Sequence, residues 1–298
     1  MVKSTKVKSV IIKNELTVFT KPWPSLPLGK LGKLVKSMGL DGVELPVRPG
    51  YQVTPDKVTK GLKRAVMILA NEGVKIGSVA GSADVRTITA MGEAGVKILR
   101  VCVGIDMSIG YKASEEKIRR EYDALIPILD EHGVSIGVQN HCDYCVGSAV
   151  GIMHLIENYA PKHVSAVLDP AHCAVDGEPG PMALDIVWSH LSLINFKSAY
   201  HHRLNGPEAF EAKWQIRWTT APHSGYSWLE VVDALRQRKY AGDICLPAEY
   251  DGPNGGMAMG DEATPMLAED IKHIKYLLSR EPGEGVRKIT DWQTGVPR

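Results

Sequence analysis

Short apolar runs alternate with longer segments of helical periodicity along most of the chain. The short runs are rich in β-branched residues and poor in charge, which is typical of strands buried on both faces of a parallel sheet. Four of them end abruptly in polar side chains, in residues 134–141 (VSIGVQNH), 164–172 (VSAVLDPAH), 191–198 (LSLINFKS) and 244–250 (ICLPAEY). The pattern predicts an α/β fold with polar groups collected at one end of the sheet.

Eight strand–helix units can be counted in sequence order. Predicted strands cover residues 10–12, 42–47, 74–80, 96–103, 134–139, 164–169, 191–195 and 244–249, and predicted helices cover residues 28–38, 54–70, 84–93, 115–131, 148–159, 182–190, 228–238 and 264–278. Because about 250 residues is typical of a closed barrel of eight such units, we predict a single (β/α)8 TIM barrel rather than an open sheet. The barrel forms one domain, residues 1–298, with a long loop 199–226 after the seventh strand and a polar C-terminal tail 280–298.

Composition narrows the range of partners. The 298 residues carry a net charge of +1, whereas proteins that bind nucleic acid usually have a marked basic excess. No apolar run approaches the ~18 residues of a membrane span, and the basic start MVKSTKVKS has no apolar segment behind it. Five scattered cysteines do not resemble a secreted disulfide framework. We therefore expect a cytoplasmic protein that acts on a small molecule and binds neither nucleic acid nor membrane.

The candidate site consists of polar residues at the ends of four neighbouring strands. Active sites of TIM barrels lie at the carboxyl ends of the strands, so these side chains are expected to face one volume. Carboxylate and amide oxygens are the ligands that a hard divalent cation such as Mg²⁺, Mn²⁺ or Ca²⁺ prefers. The predicted constellation is Gln139, Asp169, Asn195 and Glu249.

These strand ends resemble the motifs of the xylose isomerase-like TIM barrel superfamily, the sugar (phosphate) isomerases and epimerases related to tagatose 3-epimerase. That family typically has E-N-H after the fifth strand, D-x-x-H after the sixth, H-x-K-D after the seventh and a lone E after the eighth. The corresponding residues of this chain are Gln139-Asn140-His141, Asp169-Pro170-Ala171-His172, Asn195-Phe196-Lys197-Ser198 and Glu249. The resemblance implies a divalent metal, Mg²⁺ or Mn²⁺, with Gln139, Asp169, Asn195 and Glu249 at its ligand positions.

Two of the four positions depart from the family pattern, because Gln139 replaces a glutamate and Asn195 replaces a histidine. The loss of one anion predicts weaker metal binding. In family epimerases two glutamates flank the substrate carbon as proton acceptor and donor, and Gln139 cannot titrate. A scheme with one base survives, in which Glu249 removes the proton next to a carbonyl while a metal, Lys197 or His172 stabilises the enediolate.

Three functions are compatible with this chemistry. The first is a metal-assisted isomerase or epimerase that acts on a polyol or keto-sugar by proton abstraction next to a carbonyl. The second is a metal-dependent lyase or dehydratase acting on a keto-sugar or glycoside, because the loss of one base suits elimination better than inversion. The third is a barrel that binds sugar without catalysis. Fold alone does not choose among them.

The loop 199–226 is expected to be a lid, because aromatic rings stack on sugar faces and arginine binds hydroxyl or phosphate oxygens. A subunit contact in a homo-oligomer is the alternative for the same loop. The predicted substrate-binding residues are His141 and Glu44, together with His201, Arg203, Trp218 and His223 of the loop.

Structural roles compete with the functional ones at several positions. Glu44 either orients substrate or pairs with Arg48 or Lys197, and the ion pair is the preferred interpretation. Gln139 and Asn195 could serve as hydrogen-bonding amides alone. Cys142 to Cys145 forms a C-x-x-C beside His141, which could hold Zn²⁺ but more often marks the packing of a loop.

Overall fold

The computed structural model describes residues 14–280, and within them eight parallel strands close into a barrel. The eight barrel strands and two further strands are, in chain order, β1 (Leu16–Phe19), β2 (Gly42–Pro46), β3 (Lys75–Ala80), β4 (Ile98–Cys102), β5 (Ser135–Gln139), β6 (Val164–Leu168), β7 (Leu191–Asn195), β8 (Ser198–Arg203), β9 (Trp214–Thr219) and β10 (Ile244–Leu246). Strands β8 and β9 lie outside the barrel, whose order is β1-β10-β7-β6-β5-β4-β3-β2. The prediction of a single (β/α)8 TIM barrel is confirmed.

Helices follow the strands on the outside of the barrel. They are α1 (Leu28–Ser37), α2 (Val58–Asn71), α3 (Val85–Ala94), α4 (Tyr111–His132), α5 (Ala149–Ile156), α6 (Pro170–Val175), α7 (Gly180–Val187), α8 (Trp228–Gln237) and α9 (Ala263–Ser279). Side-chain caps stabilise the first turn of some helices. At the start of α3, the Asp84 side chain accepts a hydrogen bond from the Thr87 backbone N–H at 2.9 Å. None of the helices in residues 14–280 combines the length and apolar character that a membrane span needs.

The barrel encloses a small apolar core of its own. Phe19, Ala80, Val167, Leu193 and Cys245 form this inner cluster, and all are at most 2% exposed. A much larger cluster fills the layer between strands and helices. Burial of the strands on both faces explains why they appear in the sequence as nearly continuous apolar runs.

The first strand differs from its prediction. The barrel begins at Leu16–Phe19, which pairs with β10 through Leu16 and Ile244 and with β2 through Thr17 and Gly42. The predicted strand 10–12 lies outside the described residues, as does the polar tail beyond residue 280. The pairing with β10 and β2 identifies residues 16–19 as the strand that closes the barrel.

The segment 199–226 also differs from the expected loop, because most of it is an antiparallel hairpin. Strands β8 and β9 pair from Ser198 with Thr219 to Arg203 with Trp214. Aromatic and β-branched residues favour this extended structure. The apolar alternation that would have revealed it is weak, since most hairpin side chains are exposed or only partly buried.

Candidate functional site

A small pocket of about 80 Å³ lies where the predicted strand ends meet. It is lined by Phe19, Lys21, Arg48, Arg100, Cys102, Gln139, His141, Asn195, Lys197, Pro247 and Glu249. Asp169, the fourth member of the predicted constellation, is fully buried and hydrogen-bonded to Gln139. The structure therefore brings the four predicted strand ends together.

Lys197 lies between the two carboxylates of the constellation. Its Nζ is 2.8 Å from Glu249 Oε2 and 3.4 Å from Asp169 Oδ2, and the residue is 2% exposed. Burial alone would lower the pKa of Lys197, but Asp169 and Glu249 outweigh it and raise that pKa above the usual range. Lys197 is therefore a permanent ammonium ion at the centre of the site.

A second lysine, which the sequence did not single out, holds the other oxygen of Glu249. Lys21 Nζ lies 2.5 Å from Glu249 Oε1, and the Glu249 side chain is 19% exposed. Burial alone would raise the pKa of Glu249, but Lys197 and Lys21 hold it well below its ordinary value. The preceding Ala248 has a φ of 53°, a left-handed conformation that costs energy in a residue with a side chain. The chain thus presents Glu249 to the pocket through a strained turn.

Gln139 and Asp169 form a fixed network beneath this carboxylate. Gln139 Nε2 donates to Asp169 Oδ2 at 2.9 Å, and Gln139 Oε1 accepts from Arg100 at 2.8 Å. Asp169 Oδ1 accepts from the Ala171 N–H at 3.1 Å. Burial raises the pKa of Asp169, with Lys197 opposing this effect. Since these hydrogen bonds and the Lys197 contact all bring donors to Asp169, we treat its carboxylate as the ionised form.

Glu44 forms an ion pair, but with a partner that the sequence analysis missed. Arg100 Nη2 lies 2.6 Å from Glu44 Oε2, Arg100 Nε lies 3.0 Å from both carboxylate oxygens, and Ser78 Oγ donates to Oε1 at 3.0 Å. The predicted pairing with Arg48 or Lys197 is therefore wrong. Arg100 lies within the apolar run of β4, and a charge in such a run requires a buried partner. An arginine within an apolar strand is therefore a sequence signal that could have identified Arg100 as the partner of a buried carboxylate.

The two site histidines have defined hydrogen-bonding roles. His172 Nδ1 accepts from the Cys142 N–H at 3.1 Å, so its hydrogen is on Nε2, a buried atom without a hydrogen-bond partner. Burial and the neighbouring Lys197 lower the pKa of His172, which keeps the ring neutral. His141 Nδ1 lies 3.0 Å from the Cys142 carbonyl oxygen and must donate to it, so that in the neutral ring Nε2 is an acceptor. Asn195 Oδ1 is a further buried atom without a partner.

Among the predicted residues of the hairpin loop, Trp218 reaches the site. Its ring lies 4.5 Å from Lys197 Nζ and 5.1 Å from the His172 ring. None of the four predicted residues of the loop, Trp218, His201, Arg203 and His223, is part of the pocket lining. His201 and His223 are exposed, and Arg203 is half-buried with Nε 3.4 Å from Asn205 Oδ1. Their assignment to substrate binding remains a prediction.

The donor set does not fit a divalent cation in this arrangement. The two carboxylates are neutralised by Lys197 and Lys21, and the other two predicted ligands, Gln139 and Asn195, are uncharged. A divalent ion about 4 Å from an ammonium ion is repelled by roughly 8 kcal/mol at an effective dielectric constant of about 20. Lys197 thus lies between the carboxylates that the resemblance assigned to the metal.

A second group of possible ligands, His141, Cys142 and His172, has ligand atoms within 4.8 Å of one another. It also suits a metal poorly. His172 uses Nδ1 as an acceptor and carries its hydrogen on Nε2. Burial raises the pKa of the Cys142 thiol to about 12, whereas a zinc ligand is a thiolate.

Comparisons with known proteins agree with the fold. Three similar solved structures are a 3-keto-D-glucoside 4-epimerase from E. coli, a probable 3-DHS dehydratase from Bacillus anthracis, and a xylose isomerase-like TIM barrel protein from Mycobacterium smegmatis in complex with magnesium. Their sequence identities are 13%, 11% and 14%, and their TM-scores are 0.64, 0.62 and 0.62. The matches cover 90%, 88% and 89% of this chain and 100%, 98% and 96% of those chains.

No curated protein matches the chain. The model of the xylose isomerase-like TIM barrel family matches residues 33–277. That range contains seven of the eight barrel strands and each of the motifs from which the resemblance was inferred. The chain belongs to the xylose isomerase-like TIM barrel family.

Proposed function

We propose that the protein is a sugar isomerase or epimerase that transfers a proton at the carbon next to the carbonyl group of a keto-sugar. One observation carries the proposal, namely that the Glu249 carboxylate and the Lys197 ammonium ion lie 2.8 Å apart in the barrel pocket. A base and a cation at this spacing can act on adjacent atoms of one substrate. Epimerases among the solved structures of similar fold support the reaction class.

Glu249 and Lys197 have complementary roles in this reaction. Glu249 takes the proton from the carbon, and the electron pair of the broken C–H bond moves to the carbonyl oxygen. Lys197 stabilises the oxyanion that forms, with charge that is present before the reaction begins. Return of the proton by Glu249 to the neighbouring carbon, with the hydroxyl proton passing to the former carbonyl oxygen, gives the isomer. The epimer requires return of a proton to the original carbon from the opposite face, where solvent would have to supply it.

Because Lys21 and Lys197 lower the pKa of Glu249, the carboxylate is ionised but weakly basic. Substrate that draws one ammonium ion away raises that pKa and activates the base. His141 contributes an Nε2 acceptor on the wall of the same pocket, and His172 contributes an N–H donor behind it. No step of this scheme uses a metal ion, because Lys197 supplies the positive charge.

Elimination is the second candidate reaction. It is favoured by Gln139, which stands where the family has a second glutamate and whose amide is fixed by Arg100 and Asp169. A site with one carboxylate base removes a proton readily but lacks a carboxylic acid on the opposite face to return one. One solved structure of similar fold is a probable dehydratase.

Incubation of the protein with keto-hexoses and their phosphates in deuterated water tests the proposal. The expected result is deuterium at the carbon next to the carbonyl group, detected by NMR in recovered substrate or its isomer. Elimination would instead yield a dehydrated product. Absence of both exchange and product across the series would contradict the enzymatic proposal and favour a barrel that only binds sugar.

Glu249→Gln provides the matched test of the base. General-base catalysis contributes typically about 10²–10⁴-fold, so deuterium exchange should slow by this factor while the circular dichroism spectrum is unchanged. Glu262→Gln, which alters an exposed carboxylate at the start of α9, is the control and should exchange at the rate of the unsubstituted protein. Equal rates for both variants would remove Glu249 from the role of base.

A further inference from the structure

The pocket contains more positive than negative charge. Four cationic side chains line it, Lys21, Arg48, Arg100 and Lys197. Three carboxylates face them, Glu44, Asp169 and Glu249. Glu44 forms an ion pair with Arg100. Lys197 contacts both Asp169 and Glu249, and Lys21 contacts Glu249. Arg48 is left without a carboxylate.

Arg48 forms no ion pair within residues 14–280. Its guanidinium carbon lies 5.5 Å from the centre of the Phe19 ring, and Arg100 lies over the same ring at 4.5 Å. The aromatic ring supports the guanidinium group and makes no hydrogen bond with its N–H donors. A half-buried guanidinium group with unused donors can bind an anion in two-pronged geometry.

Lys21 lines the same pocket as this unused guanidinium group. Its side chain is 31% exposed, and only one of its ammonium hydrogens is needed for Glu249. The Tyr51 hydroxyl donates to the Lys21 backbone carbonyl oxygen at 3.2 Å. Its pKa is raised mainly by burial, with Arg48 lowering it and Glu249 raising it further. Arg48, Lys21 and Glu249 therefore line one pocket, in which Lys21 contacts Glu249.

We propose that Arg48 and Lys21 form a subsite for an oxyanion carried by the substrate, a carboxylate or a phosphate group. The inference rests on the proposed function, since it assigns the acidic or phosphorylated sugars as the substrate class of that site. The guanidinium fork binds two oxygens of the anion, and Lys21 shares its charge between the anion and Glu249. A bound carboxylate would bring the four cations and three carboxylates of the pocket into balance, and a phosphate group would supply at least that negative charge.

Calorimetric titration with three probes tests the subsite without turnover. Inorganic phosphate and D-gluconate represent the two sources of the oxyanion, and D-glucitol is the uncharged counterpart. At low ionic strength we expect one or both anions to bind and D-glucitol to bind at least about tenfold more weakly. Whichever anion binds more tightly identifies phosphate or carboxylate. Equal affinity for D-glucitol and both anions would overturn the proposal.

Variants of Arg48 locate the binding. Arg48→Gln should weaken anion binding at least about tenfold, and Arg48→Lys should recover part of the affinity because it keeps the charge but loses the fork. Arg86→Gln changes an exposed arginine elsewhere and should leave the affinity unchanged. Far-ultraviolet circular dichroism and melting temperature verify folding of each variant. If Arg48→Gln and Arg48→Lys both bind anions as Arg86→Gln does, the subsite is wrong.

The two proposals can fail separately. In one outcome, the protein binds anions through Arg48 and yet shows neither deuterium exchange nor elimination. That result would support the subsite and contradict the enzymatic reaction. Deuterium exchange that requires Glu249, with no dependence of anion binding on Arg48, leaves the reaction intact and contradicts the subsite.

Discussion

At the scale of single residues, the site consists of charges whose partners come from distant parts of the chain. Glu44 and Arg100 belong to β2 and β4, and neither is adjacent in sequence to the motifs from which the site was predicted. Both are almost completely buried, at 0% and 6% exposure. A buried ion pair stabilises little relative to an apolar pair, but the loss of one partner leaves an uncompensated charge.

Arg100→Met should therefore destabilise the protein strongly, because Glu44 would remain ionisable and buried. The expected loss in the free energy of unfolding is about 3–5 kcal/mol, measured by urea denaturation. Lys63→Met breaks the exposed ion pair of Lys63 Nζ with Glu93 Oε2, 3.0 Å apart, and should cost about 0–1 kcal/mol. Similar losses for the two variants would show that burial of Glu44 is not what makes Arg100 important.

At the scale of elements, strands that are buried on both faces were predictable, and the hairpin was not. β5, β6 and β7 are continuous apolar runs that end in polar residues, and the structure places them within a few residues of their predicted bounds. β8 and β9 carry side chains such as His201, His202 and Arg217, whose pattern shows no buried face. Pairing across an exposed hairpin depends on the partner strand, which the local sequence does not reveal.

The site residues were predictable where they follow a recognisable strand and not where they lie in a loop. The motif residues Asp169, Lys197 and Glu249 could be placed because each ends a recognisable strand. Lys21 and Arg48 follow β1 and β2 in loops, where no periodicity marks a functional side chain. Their approach to Glu249 and to the pocket is a consequence of barrel closure.

The outer part of the hairpin should be dispensable for folding of the barrel. The Leu204 N–H donates to the Lys213 carbonyl oxygen at 2.8 Å, and the residues between them are mostly exposed. Replacing residues 205–212 by Asn-Gly gives the two-residue loop preferred by hairpins. The melting temperature should change by no more than about 4 °C, since surface changes are usually within about 0.5 kcal/mol.

The matched variant for this deletion is Trp218→Ala, which keeps the hairpin length but removes the ring beside Lys197 and His172. It should weaken binding of the substrate found by the exchange assay, whereas the shortened hairpin should bind it normally. Cooperative unfolding of the barrel at a much lower temperature in the shortened protein would contradict the separation of tip and barrel.

At the scale of the whole molecule, one buried carboxyl group joins three segments on the outside of the barrel. Asp270 of α9 accepts from the Ala221 N–H at 2.7 Å and from the Tyr250 hydroxyl at 2.8 Å. Ala221 follows the hairpin, and Tyr250 follows the catalytic candidate Glu249. Asp270 is 1% exposed, and burial raises its pKa from 3.8 to about 7 against the opposing effect of these hydrogen bonds.

This pKa makes global stability depend on pH. Between about pH 4 and pH 7 the folded protein holds a proton on Asp270 that the unfolded chain has released, so the free energy of unfolding contributed by this group falls as pH rises. The slope approaches about 1.4 kcal/mol per pH unit, and the contribution is fully present below the unfolded pKa. Asp270→Asn removes the titration while its amide oxygen can still accept from Ala221.

The difference in unfolding free energy between the unsubstituted protein and Asp270→Asn should therefore decrease from pH 4 to pH 7 and become constant above. Urea denaturation across this range measures it, and other titrating groups cancel in the difference. Asp261→Asn, at an exposed position just before α9, is the control for the replacement of an aspartate by asparagine near the same helix. A difference for Asp270→Asn that is flat, or that grows as pH rises, would mean that Asp270 is ionised in the folded barrel and that Tyr250 and Ala221 are held by a carboxylate.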